Sequence, residues 1–133
     1  MFQRIDSGEC GNCLENYAKS GWEFLAPNII VVEVLYILCK KLQNGLMPPQ
    51  SYEKIIENFD DQMKTVQLPS DARLIKTAIE IQSEYGCSPS LDGLYTALAE
   101  DLAKTRTVEI FTLDRGMVNQ AAKNAPTVTV KVL

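Results

Sequence analysis

Ser90-Leu91-Asp92-Gly93-Leu94-Tyr95-Thr96-Ala97-Leu98-Ala99-Glu100 is the stretch whose reading decides the fold, because it joins a strong helix signal to a charge in its first turn. Leu91, Leu94, Tyr95, Leu98 and Leu102 recur at helical spacing, Ala97, Ala99 and Ala103 favour helix, and Ser90 stands where an N-cap belongs. The spacing predicts the start of a buried helix. Asp92 has two readings. It is either a charge favoured by the positive end of the helix dipole, or a ligand in a site shared with Glu33 and Asp114, two further carboxylates flanked by apolar residues.

Working outward, 133 residues with 46% hydrophobic content predict a single globular domain, 1–133. The longest apolar stretch, Ile29 to Cys39, is interrupted by Glu33 and is too short to span a membrane. The N-terminal residues are polar and lack the apolar core of a secretory signal, so a cytoplasmic location is expected. The chain has no histidine, which removes Ser-His-Asp and Cys-His nucleophilic sites and histidine acid–base chemistry together. Carboxylates are what remain. A net charge of −4 argues against polyanion binding over the whole surface, although local basic patches can still hold a phosphate backbone. Of the four cysteines, Cys39 fits a helical apolar pattern as a small hydrophobe, and Cys10-Gly11-Asn12-Cys13 lacks the second pair or histidines a zinc site needs.

Along the chain, Met1 to Ile5 has the pattern of a short strand but is polar for one buried on both faces. Cys13 to Ser20 predicts a short helix stopped by Gly21, and Trp22 to Ala26 a strand. Asn28 is a candidate N-cap for a helix from Ile29 to Leu42, apolar nearly all round and therefore expected to be buried. Ser51 is the candidate cap of the next helix, carried by Tyr52, Ile55, Ile56, Phe59 and Met63. Val66 to Leu68 predicts a strand, and Pro69-Ser70-Asp71 opens a helix ended by Gly86. Val108 to Thr112 and Val128 to Val132 predict strands flanking a helix from Asp114 to Lys123. Alternating strands and helices give an α/β fold, with the four strands in one mainly parallel sheet and helices on both faces.

In such sheets, residues just beyond the C-terminal ends of strands gather in one crevice. Asp114 lies two residues past Thr112, Glu33 is the lone charge of its apolar run, and Asp92 opens its helix. If they converge, they form an oxygen-rich, histidine-free site suited to Mg²⁺ or Mn²⁺, and that chemistry points to phosphodiesters. Each acid also has a plain structural reading: Glu33 paired with a lysine or arginine, Asp92 as a first-turn charge, Asp114 as an N-cap.

Three motifs resemble the PIN domain family, in particular the VapC-type toxin ribonucleases of toxin–antitoxin pairs. They are Phe24-Leu25-Ala26-Pro27 leading to Val32-Glu33-Val34, the stretch from Leu91 to Glu100, and Phe111-Thr112-Leu113-Asp114. The resemblance runs from about Trp22 to the C-terminus and implies a three-layer α/β/α fold. It also implies Glu33, Asp92 and Asp114 as catalytic acids that hold Mg²⁺ or Mn²⁺ and activate water for RNA cleavage, with Thr112 supporting the last acid. The chain departs from the family at its beginning, where an apolar strand should end in another catalytic aspartate. Asp6 is the only candidate for that acid, and its strand is expected to be lost or truncated.

Lys104, Arg106 and Arg115 are candidates for RNA backbone contacts, the first two with a solvated helix end as the plainer reading. The expected activity is a metal-dependent endoribonuclease. The alternative is a non-catalytic PIN-like module that dimerises or binds an antitoxin-like protein. Tyr36, Met47 and Tyr52, near helix ends, are the apolar area expected to need a partner.

Overall fold

The computed structural model describes residues 15–70, 72–86, 92–112 and 114–132. Met1 to Ile5, Asp6, Cys10, Cys13, Cys87, Ser90 and Leu91, which figure in the sequence expectations, lie outside them. The chain divides into two compact units, residues 16–69 and residues 70–133.

In the unit 16–69, a turn of helix over 15–19 closes at Gly21, and Tyr17 meets Trp22 edge to face with ring centroids 5.5 Å apart. Strand β1, Phe24–Leu25, pairs in parallel with β2, Val66–Gln67, in the register Phe24 to Val66 and Leu25 to Gln67. The Ala26 N–H extends the ladder to the carbonyl of Gln67 at 3.1 Å. A parallel pair requires a crossover. Two helices supply it, α1 (Ile29–Gln43) and α2 (Pro49–Met63).

The end of α1 is fixed chemically. Gly45 adopts φ 64°, its N–H bonds to the Leu42 carbonyl, and the Leu46 N–H reaches back to Lys41 at 2.9 Å. That is a Schellman closure, which calls for a residue without Cβ at its left-handed position. Lys40 and Lys41 in the last turn suit the negative end of the dipole.

Of the two expected N-caps in this unit, Asn28 holds the cap position of α1 without a capping bond, and Ser51 does not hold that of α2. Asn28 is itself helical in backbone and makes no capping bond; its Nδ2 donates to the Pro69 carbonyl at 3.3 Å. Pro48 holds the cap position of α2 with Pro49 as its first residue, so Ser51 falls inside the first turn. Proline is at home there because that N–H lacks a helical partner anyway.

The expected burial of α1 is also corrected. Only Ile30 and Leu38 are buried, whereas Val32, Leu35 and Tyr36 are 61%, 44% and 62% exposed. A sheet of two strands with two residues each offers too little surface to cover a helix that is apolar on nearly every side.

In the unit 70–133, a 3₁₀ turn (Ala72–Leu74) leads into α3 (Ile75–Glu84), followed by α4 (Asp92–Ala103), β3 (Glu109–Thr112), α5 (Gly116–Asn124) and β4 (Thr129–Val132). The helix expected after Pro69 thus starts later and through a 3₁₀ turn. Strands β3 and β4 are parallel, with Glu109 opposite Thr129 and Thr112 opposite Val132, and α5 is their crossover. Lys131 meets Glu109 at 3.0 Å across the pair.

The core of this unit is Leu74, Ile81, Ala97 and Leu98, with Ala78, Leu94 and Leu102 packed against it. As its spacing predicts, α4 is a buried helix, with Gly93, Thr96, Ala97, Leu98 and Ala99 inside.

The architecture is therefore mixed α/β, mostly helical, and each strand pair is parallel. The expectation of one sheet is corrected. The four strands lie in two separate two-stranded sheets, β1 with β2 and β3 with β4. Among the described residues no helix is long and apolar enough to cross a membrane.

Candidate functional site

Asp92 and Asp114 both belong to the unit 70–133, and local chemistry brings their elements together. Asp92 is the first residue of α4, and its carbonyl accepts from the Thr96 hydroxyl one turn on, at 3.0 Å. Thr96 is fully buried, and its Oγ1 also lies 2.6 Å from Gln120 Oε1 and 3.3 Å from Met117 Sδ, both on α5. A hydroxyl has a single proton. Turning the Gln120 amide so that its nitrogen donates to Thr96 lets Thr96 donate to Asp92. The N-terminal turns of α4 and α5 consequently lie side by side. The Met117 N–H in turn bonds to the Asp114 carbonyl at 3.2 Å, so the chain leading into α5 is tied to the same place.

Asp114 sits where β3 turns into α5. Buried Thr112 accepts the Asp114 N–H on Oγ1 at 3.0 Å, and Asp114 Oδ1 accepts the Gly116 N–H at 2.7 Å. Arg115, not Asp114, holds the N-cap position of α5 and makes no capping bond, so the capping reading of Asp114 is corrected: its one engaged oxygen closes an Asx turn just before the helix. A carboxylate has two oxygens and about four lone-pair directions, so one N–H does not exhaust it. The hydroxyl of Thr112 holds the backbone from which Asp114 projects.

Two side chains that the sequence did not single out complete the frame. Gln82 of α3 accepts the Gly93 N–H on Oε1 at 3.1 Å, providing the start of α4 with an acceptor from a neighbouring helix. Gln120 is buried against Thr96. The one available signal was spacing: Thr96 follows Asp92 by four residues and therefore shares its face. Nothing local marks Gln82 or Gln120.

Glu33, half-buried on α1, belongs to the other unit. Among the described residues no three histidine, cysteine or acidic side chains stand together as a cation-binding group. Lys104 is engaged with Glu100 at 3.4 Å and Asp101 at 3.7 Å on its own helix, the ordinary state of a solvated helix end. Arg106 and Arg115 are exposed, Arg115 directly beside Asp114. Asp6 lies outside the described residues. Comparison with protein-family models, with curated proteins and with solved structures finds no match to this chain.

Proposed function

We propose that this chain is a Mg²⁺- or Mn²⁺-dependent endoribonuclease of the PIN type, with Asp92 and Asp114 at its centre. The observation that carries this reading is the joining of their two elements by Thr96, Met117 and Gln120. The donor types fit the ion: Mg²⁺ is usually held by one or two carboxylates and keeps several waters, and no nitrogen or sulfur ligand is needed. When bound, such an ion lowers the pKa of a water and offsets phosphate charge. Asp92 and Asp114 would hold it. Thr112 keeps Asp114 in place, while Arg106 and Arg115 are the basic groups for the RNA backbone.

The test is Asp92→Asn. Asparagine serves a helix start about as well as aspartate, so the fold should persist by circular dichroism. Mn²⁺ affinity should fall at least tenfold, by roughly the margin that even outer-shell changes produce, and RNA cleavage should be lost. Unchanged Mn²⁺ affinity returns Asp92 to the role of a helix-start residue and ends the metal reading.

A non-catalytic interaction module is the second reading, favoured by the exposed apolar face of α1.

A further inference from the structure

The chain contains one Asn-Gly pair, Asn44-Gly45, and one Asp-Gly pair, Asp92-Gly93. Both have the parts for one reaction. A glycine after Asn or Asp has no Cβ to keep its backbone nitrogen away from the carbonyl carbon of the preceding side chain. The structure separates the two pairs. Gly93 is buried in the first turn of α4, and Gln82 Oε1 holds its N–H at 3.1 Å. Asn44 and Gly45 are both exposed at the end of α1, and nothing stands within 4 Å of where a Cβ of Gly45 would lie.

What holds Asn44 back is the closure of its own helix. Its ψ of 7° sets the Gly45 nitrogen in line with the nitrogen of Asn44, turned away from Cβ, and the Gly45 N–H is engaged by the Leu42 carbonyl at 3.2 Å. Attack on the side chain needs that nitrogen on the Cβ side and free to lose its proton. Both conditions require the last turn of α1 to open, and helix ends are where a fold opens most readily.

We propose that Asn44 is a site of spontaneous deamidation, gated by fraying of the last turn of α1. The Gly45 nitrogen gives its proton to water and bonds to Asn44 Cγ. The Cγ–Nδ2 bond breaks, ammonia leaves, and a five-membered succinimide remains. Water then opens the ring. Cleavage between Cγ and the ring nitrogen gives aspartate, and cleavage at the main-chain carbonyl gives isoaspartate, with the chain running through Cβ and Cγ. The balance needs only water. The extra main-chain carbon of isoaspartate takes Gly45 and Leu46 out of the register in which their N–H groups reach Leu42 and Lys41, so a reversible fraying becomes a permanent loosening. None of this depends on metal binding or RNA cleavage.

Peptide mapping by mass spectrometry of the full chain, aged at mildly alkaline pH, tests the proposal. Conversion is expected at Asn44, and conversion at 92–93 as fast as at 44–45 overturns the structural distinction between the pairs. In denaturing urea Asn44 should convert at least tenfold faster, because the closure no longer withholds the Gly45 nitrogen. Equal rates in the native and unfolded chains exclude the gate. Well below the unfolding midpoint the native rate should be nearly independent of urea, since fraying exposes little surface. A rate that rises in step with global unfolding, or a native protein that stays intact while the unfolded chain converts, assigns the reaction to the unfolded chain and overturns the proposal. In the isolated isoaspartate form, hydrogen exchange at the Leu46 amide should be at least tenfold faster, the effect of losing the closing bonds. Unchanged exchange excludes the loosening.

Discussion

Helices α1 and α4 reverse what their compositions suggest. The sequence of α1, Ile29 to Gln43, is the more apolar of the two, yet most of one side faces solvent. Helix α4 contains Asp92, Thr96, Glu100 and Asp101, yet it is the best buried element among the described residues, with Thr96 and Ala97 fully enclosed. The difference lies in side-chain size and in what stands opposite. Gly93, Ala97 and Ala99 let α4 approach α3 and α5 closely, and close packing is where dispersion and burial accumulate. The bulky β-branched residues of α1 face strands only two residues long. Hydropathy marks which residues favour burial; small side chains and a sufficient partner surface decide which obtain it.

The largest expected effect tests that contrast directly. Leu98→Ala in α4 should cost ~2–4 kcal/mol, the usual result of opening a cavity in a core that cannot collapse. Leu35→Ala in α1 should change stability by only ~0.5 kcal/mol, as exposed substitutions do. Urea unfolding of dilute protein, where association contributes nothing, measures both. Equal losses for the two leucines would break the comparison.

A smaller effect sharpens the role of small residues. A Cβ at Gly93 would lie 2.6 Å from Gln82 Oε1 and 3.0 Å from the Ala78 carbonyl oxygen. Gln82 can swing aside, but it then loses its bond to the Gly93 N–H, and the Ala78 backbone has no such freedom. Overpacking of ~1–3 kcal/mol is partly offset by the better helix propensity of alanine, so Gly93→Ala should be destabilising by ~1 kcal/mol net. A stabilised Gly93→Ala protein in thermal melts would show that close approach is not what buries α4.

The smallest expected effect concerns pH. The carboxylate of Glu84 on α3 meets Lys123 on α5 at 3.0 Å and raises the lysine pKa by hydrogen bonding and charge attraction. A pKa raised in the folded state contributes stability that is fully present below the ordinary lysine value of 10.5 and is lost as pH rises through the higher folded value. The pair is exposed and screened, so only a slight fall in melting temperature is expected above that range, absent in Lys123→Gln. An identical alkaline decline in the variant would assign the effect to other lysines.

The sequence by itself determined the local elements. Helical spacing located α1, α2 and α4, Gly45 and Gly86 marked the ends of their helices, and the β-branched runs located β3 and β4. These are short-range matters, settled by backbone sterics and by the period of apolar residues. The bond from the Asp114 N–H to Thr112 spans two residues, but only the family resemblance pointed to Thr112. Only the tertiary structure decided the division of the strands into two pairs, the exposure of Val32, Leu35 and Tyr36, and the meeting of Thr96 with Gln120. Each depends on residues far apart in the chain. Asn28 makes the same point at the scale of one side chain: a cap signal in the sequence, it bonds to Pro69, forty-one residues away. Local preference proposed the cap; the capping oxygen makes no such bond, and the amide nitrogen donates to a distant carbonyl.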